Sequence, residues 1–133
     1  MAYEGHRVDP DAQGKFTMYH YCKLINLVQP HENSRGSSGI LRDGGMRNGG
    51  WHGDGIGVYC HATPPHRYFS EGDGWVMLEL RCHGHLTKVK GGALGRYVIK
   101  SDQTDQSLNA HCTDCEVVAI IHFYNGIPEF AKF

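Results

Sequence analysis

Three residues of this chain combine a chemically useful side chain with a position at the end of a predicted strand. His20 closes the first strand, Tyr59 closes a glycine-rich strand, and Glu116 opens the last apolar strand. An imidazole can exchange hydrogen bonds, an aromatic ring can stack on a flat ligand, and a carboxylate can stabilise developing positive charge. Because a carboxylate is costly to bury unless it is paired, Glu116 is a candidate for chemical work.

The stretch GDGIGVYCHATPPHRYF, residues 53–69, adds a second tyrosine, Tyr68, after Tyr59. Glycines before Tyr59 let the backbone approach a flat ligand closely. Two aromatic rings on one loop can sandwich a planar cation, and each such contact contributes roughly 0.5–2 kcal/mol. The competing interpretation is that both tyrosines pack beside a proline turn and that Glu116 is merely the exposed first residue of its strand.

The elements that must position these residues are predicted to be six short strands with one or two short helices. A short helix is predicted over Leu24–Val28, before Pro30, and GILRDGG at 39–45 predicts one helical turn or a short strand. The polar, glycine-rich stretch His31–Gly53 predicts a loop outside the core. These predicted elements favour an α+β or mostly-β domain, and we expect α+β. The predicted strands, rich in alternating apolar, β-branched or aromatic residues, are Phe16–Tyr21, 55–60, Trp75–Cys82, 85–90, 95–100 and Cys115–Asn125.

The length of 133 residues predicts one domain, 15–133, after a flexible lead-in, 1–14. The formal net charge is −1 and no basic run stands out, which disfavours a surface that follows nucleic-acid phosphates. No apolar run approaches the length of a membrane span, and the first residues lack the apolar core of a signal peptide. The five cysteines, an odd number, predict a soluble, intracellular protein with reduced thiols.

Five short motifs, in this order along the chain, resemble the ADP-ribosyltransferase superfamily. Within it they are similar to the branch of diphtheria toxin and the poly(ADP-ribose) polymerases, which uses a His–Tyr–Glu triad. The resemblance extends from about Met18 to Tyr124, and it implies two small, mainly antiparallel sheets around an NAD cleft. The motifs are YHY (Tyr19–Tyr21), GIGVYCHA (Gly55–Ala62), GWVMLEL (Gly74–Leu80), GRYVIKSD (Gly95–Asp102) and CEVVAIIHF (Cys115–Phe123).

The resemblance gives each candidate residue a role. His20 would hydrogen-bond the adenosine ribose of NAD, and the backbone of Tyr21 would hold the nicotinamide carboxamide, although the family usually has glycine there. Tyr59 would stack on the nicotinamide ring, and Tyr68 would cover its other face. Glu116 would bind the 2′-hydroxyl of the nicotinamide ribose and stabilise the oxocarbenium charge that forms as the nicotinamide–ribose bond breaks.

The implied function is NAD-dependent ADP-ribosyl transfer, with NAD as substrate and no metal. Mono-transfer fits so small a domain, and the acceptor, protein or nucleic acid, is not identified by the sequence. Two alternatives stay open. One is a catalytically inactive module of the same fold that binds a nucleotide or a protein partner. The other is an enzyme similar to the NAD-using RNA 2′-phosphotransferases. Those enzymes use several arginines and histidines in place of the glutamate, and this chain has ten histidines.

The cysteines support a separate hypothesis. The stretches RCHGH and HCTDC together offer Cys82, His85, Cys112 and Cys115 as the four ligands of a zinc site. One Cys-x-x-Cys without a second pair is weak support, and the competing interpretation is two reduced thiols near the start of a strand. A zinc deaminase is excluded because no His-x-Glu precedes the Cys-x-x-Cys.

Overall fold

The chain folds around one seven-stranded sheet in the computed structural model, which describes residues 8–30, 38–50, 55–62, 74–89, 95–124 and 127–132. The order of strands across the sheet is β4-β5-β2-β1-β3-β6-β7. The helices are a 3-10 helix, Leu24–Leu27, and a single helical turn, α1, Ile40–Asp43. Neither they nor any other helix in the described ranges is long and apolar enough to cross a membrane. The strands are β1 (Phe16–Lys23), β2 (Val58–His61), β3 (Trp75–Cys82), β4 (His85–Lys88), β5 (Arg96–Lys100), β6 (Cys115–Tyr124) and β7 (Ile127–Lys132).

The predicted arrangement of largely antiparallel strands with few short helices is confirmed, and every described strand pair is antiparallel. The expectation of two separate small sheets is wrong. Tyr19 of β1 pairs with His61 of β2, and this pair joins the two halves into one sheet. The predicted helix after β1 is the 3-10 helix, and GILRDGG forms the helical turn α1.

β1 is joined to its two neighbours unequally. Along β3, all eight residues of β1 have a partner, whereas along β2 the described residues pair at Tyr19 and His61. β2 is four residues long and pairs along its whole length with β5. The ladder between β1 and β2 therefore opens beyond this pair, in the direction of Tyr21 and Tyr59.

Side-chain alternation gives the sheet two faces, and residues paired across strands share a face. The core face carries Met18, Leu78 and Leu80, all fully buried, together with most of the other buried apolar side chains. The second face has a smaller apolar cluster, Met77 and Ile121 with Tyr19 and Tyr21 packed against them. The other buried apolar strand residues of the core face are Cys22, Val58, Cys60, Val76, Cys82, Tyr97, Ile99 and Cys115.

Part of the segment predicted as a loop outside the core is buried. Met46 and Asn48 are 5% and 6% exposed, and Met46 packs into the cluster on the core face. The backbone of Cys112 donates to the oxygen of Met46 at 2.8 Å, so a second loop satisfies polar groups that burial would otherwise leave unpaired. The expectation for His31–Gly53 is therefore wrong at these positions, and residues 31–37 and 51–53 lie outside the described residues.

Candidate functional site

Two of the three predicted catalytic residues meet where β1 and β2 diverge. The Nδ1 atom of His20 lies 3.2 Å from the backbone oxygen of Tyr59. In a continued antiparallel ladder this oxygen would accept a hydrogen bond from the backbone of β1. Because the strands have separated, the imidazole takes that place, donating in the tautomer with hydrogen on Nδ1. His20 thus contacts the backbone of Tyr59 and not its ring.

The ring of Tyr59 lies on the second face and is fixed from two directions. Its hydroxyl donates to the backbone oxygen of Gly55 at 2.6 Å, which folds the ring toward the glycine-rich approach to β2. The guanidinium carbon of Arg96 lies 5.8 Å from the ring centroid, within the range of a cation–π interaction. A cation of the protein therefore already faces the ring that was predicted to stack on a ligand.

Arg96 is one of three basic residues around Tyr59 that the sequence analysis missed. Arg96 pairs with His61 across β5 and β2, and alternation places Lys100 on the same face of β5 as Arg96. Lys100 packs closely against Gly55. A Cβ atom at Gly55 would lie 2.6 Å from the Nζ of Lys100, so the glycine leaves room for the ammonium group. The alternation in RYVIK was visible in the sequence, but nothing local indicates that β5 lies beside Tyr59.

A row of polar side chains crosses four strands on the second face. The cross-strand pairs are Glu79 with Tyr19, Tyr19 with His61, and His61 with Arg96, and we call these four residues the polar row. All four are partly exposed. Burial, with the carboxylate of Glu79 adding to it, raises the pKa of Tyr19, so its phenol stays a hydrogen-bond donor. The polar row carries a carboxylate at one end and a guanidinium at the other.

The structure does not bring Glu116 to the other two predicted catalytic residues. Cys115 lies in the core, so the next residue, Glu116, projects from the second face, whereas His20 belongs to the core face. Two strands separate β6 from β2, which places Glu116 at least roughly 14 Å from Tyr59 at about 4.8 Å a strand. Glu116 is exposed and pairs in register with Arg81.

The two other predicted NAD-contacting residues have different outcomes. The ring of Tyr21 stacks on Trp75, with centroids 4.8 Å apart and planes inclined by 6°. This contact turns the side chain of Tyr21 toward β3. The expected backbone contact of Tyr21 stays a prediction, and Tyr68 lies outside the described residues.

The zinc hypothesis required four side chains in one place. Cys82, Cys112 and Cys115 do converge in the core, and each is at most 2% exposed. His85 lies on the edge strand β4, where its Nε2 is 3.3 Å from a carboxylate oxygen of Asp102. The proposed four-ligand set is therefore not assembled. Within the described ranges, no group of three or more His, Cys, Asp or Glu side chains is arranged to hold a metal ion.

Comparisons of the chain with protein-family models, with curated proteins and with solved structures find no match. The resemblance of the five sequence motifs to ADP-ribosyltransferases therefore stays a prediction. The observations that bear on function are the basic side chains around Tyr59 and the polar side chains of the polar row.

Proposed function

We propose that this protein is a non-catalytic module that binds a nucleotide along the polar row of the second face. The observation that carries the proposal is the Arg96 guanidinium, 5.8 Å from the centroid of the Tyr59 ring. A guanidinium is well suited to phosphate because its planar fork can donate two parallel hydrogen bonds to phosphate oxygens. The phosphates would lie at Arg96 and at Lys100 on the same face of β5.

The charge around Tyr59 favours an anionic ligand over a cationic one. The nicotinamide ring of NAD carries a positive charge, and on Tyr59 it would compete with Arg96 for the same aromatic surface. Two like charges at such a separation repel, more strongly in a partly buried site than in water. A phosphate is attracted by both Arg96 and Lys100. The same geometry thus supports nucleotide binding and weakens the case for cleavage of a nicotinamide–ribose bond at this ring.

The other end of the polar row offers partners for a sugar. The carboxylate of Glu79 can accept hydrogen bonds from ribose hydroxyls, and the neutral phenol of Tyr19 can donate to a ring nitrogen or oxygen. Four strands span three intervals of about 4.8 Å, or roughly 14 Å, enough for a nucleotide to lie across them. The ligand would therefore lie with its sugar toward β3 and its phosphates toward β5.

The test is calorimetric titration with ADP of the unaltered protein and of Arg96→Gln. Loss of a charge-assisted hydrogen bond of about 1.5–3 kcal/mol weakens binding roughly tenfold to a hundredfold. Glu116→Gln is the matched control, since it removes one charge from the same face away from the polar row, and it should bind ADP unchanged. Equal ADP affinity in Arg96→Gln would contradict the proposal.

The same samples test the enzyme hypotheses, which rest on the sequence resemblance. If the protein consumes NAD, and Glu116→Gln abolishes that activity, ADP-ribosyl transfer replaces the binding module. Release of phosphate from a 2′-phosphorylated RNA in an NAD-dependent manner would instead favour the phosphotransferase alternative. We expect neither activity.

A further inference from the structure

Three of the five cysteines form one buried cluster on the core face. Cys82 at the end of β3 is the cross-strand partner of Cys115 at the start of β6, and Cys112 lies in the turn just before β6. Cys115 lies between the other two, and interactions with the side chains of both Cys112 and Cys82 shift its pKa. All three thiols are free and at most 2% exposed. Thiols in such contact can form a disulfide after a small movement of one of them.

The turn that carries Cys112 is held closed from outside by a side chain. The amide nitrogen of Gln103 donates to the backbone oxygen of His111 at 2.7 Å, and its amide oxygen accepts from the backbone nitrogen of Thr113 at 2.8 Å. The two bonded residues flank Cys112 in the chain. Gln103 is partly exposed and Thr113 is exposed, so these two hydrogen bonds lie at the surface, beside the buried thiol of Cys112.

We propose that Cys112 and Cys115 are a dithiol site that small-molecule disulfides oxidise to an intramolecular disulfide, with Gln103 controlling access to it. Cys112 is the first to react because it lies in a turn, whereas Cys82 and Cys115 are held in paired strands. In the closed state the hydrogen bond to Cys115, together with burial, raises the pKa of Cys112 and leaves it unreactive. Reaction therefore requires the turn to open.

The chemistry is two successive thiol–disulfide exchanges with a disulfide such as oxidised glutathione. The thiolate of Cys112 attacks one sulfur of the oxidant, the sulfur–sulfur bond breaks, and one glutathione leaves as a thiolate. The thiolate of Cys115 then attacks the sulfur of Cys112 and displaces the second glutathione. The two protons from the protein thiols end on the two glutathiones, so the protein pair is oxidised and one glutathione disulfide is reduced.

The experiment treats the full chain with oxidised glutathione and follows the intact mass and the mapped disulfide over time. We expect loss of two hydrogen atoms and a disulfide within the peptide that contains Cys112 and Cys115. Gln103→Ala should react roughly tenfold faster, since the turn then loses the side-chain hydrogen bonds that hold it closed. Gln106→Ala, the same change in the same loop, removes a hydrogen bond to the backbone oxygen of Gln103 but none to the turn, and it should react at the unaltered rate.

Several outcomes would overturn the proposal. They are a mapped Cys82–Cys115 disulfide, a stable glutathione adduct without an internal disulfide, no oxidation, or equal rates in the Gln103 and Gln106 variants. The variant Cys115→Ala should stop at a glutathione adduct on Cys112. Mapping of the unaltered protein decides the question even if that variant does not fold.

Discussion

The two faces of the sheet differ in chemistry although the same strands build both. Along β1, Met18 and Cys22 project into the apolar core, while Tyr19 between them lies in the polar row. The core face holds the buried thiols and most of the buried aliphatic side chains, whereas the second face combines fewer buried apolar residues, such as Val98 and Ala119, with partly exposed polar ones. One face therefore supplies most of the stability of the fold, and the other presents the partly exposed polar row.

Strand register, and not position along the chain, decides which side chains share a face of the sheet and can contact the same ligand. His20 and Glu116 were both predicted to lie at strand ends, yet His20 lies within β1 and alternation places the two residues on opposite faces. Arg96 and Glu79 were not selected from the sequence, yet cross-strand pairing places them in one row with Tyr19 and His61. A ligand would meet one face of the sheet, so this row is the proposed binding site.

The largest expected effect is on the core face. Leu78 is fully buried at the centre of the sheet, paired with His20 on one side and Ile120 on the other. Leu78→Ala should lower the free energy of unfolding by about 2–5 kcal/mol, because it removes apolar contacts and leaves a cavity. Urea denaturation measures the change. Arg96→Gln on the second face should stay within about 0.5 kcal/mol, and a larger loss there than for Leu78→Ala would contradict the division between the faces.

A smaller effect is expected where β2 and β5 approach closely. A side-chain carbon on Gly57 would stand 2.4 Å from the backbone oxygen of Ile99 and 2.8 Å from a methyl of Val98. Gly57→Ala should therefore destabilise the protein by roughly 1–3 kcal/mol through overpacking. Gly74→Ala is the matched control, since no atom lies within 4 Å of the added carbon. Similar thermal or urea midpoints for the two variants would contradict the close approach of Gly57 to β5.

The third stability effect depends on pH and develops only in alkaline solution. Burial raises the pKa of Cys22, on the core face, from an ordinary 9.0 to about 12. The unfolded chain releases this proton near pH 9 while the folded chain keeps it, so stability present below pH 9 is lost as the pH rises toward 12. The loss is about 1.4 kcal/mol for each pH unit in that window. In Cys22→Ala, the free energy of unfolding from urea denaturation should fall less steeply between pH 9 and 12. An unchanged dependence on pH would contradict a raised pKa of Cys22 in the folded protein.

The sequence predicted the strands better than their arrangement, for a physical reason. Alternation in WVMLELRC and the apolar run of CEVVAIIHFYN are local patterns, and both segments form strands close to the predicted bounds. Whether the halves form one sheet or two depends on the pairing of Tyr19 with His61, which are far apart in the chain. The role of Arg96 likewise depends on β5 lying beside β2. Long-range pairing of this kind leaves no local pattern to find.

Nuclear magnetic resonance of the isotope-labelled protein, titrated with ADP, tests most directly whether the polar row binds a nucleotide. If the nucleotide binds there, the backbone amide signals of Tyr19, His61 and Arg96 should shift together and saturate with one binding curve. Signals of Thr17 and Glu116, which lie on the same face in the row that contains Arg81, should stay in place. Shifts centred on Thr17 and Glu116 with none along the polar row would contradict the account.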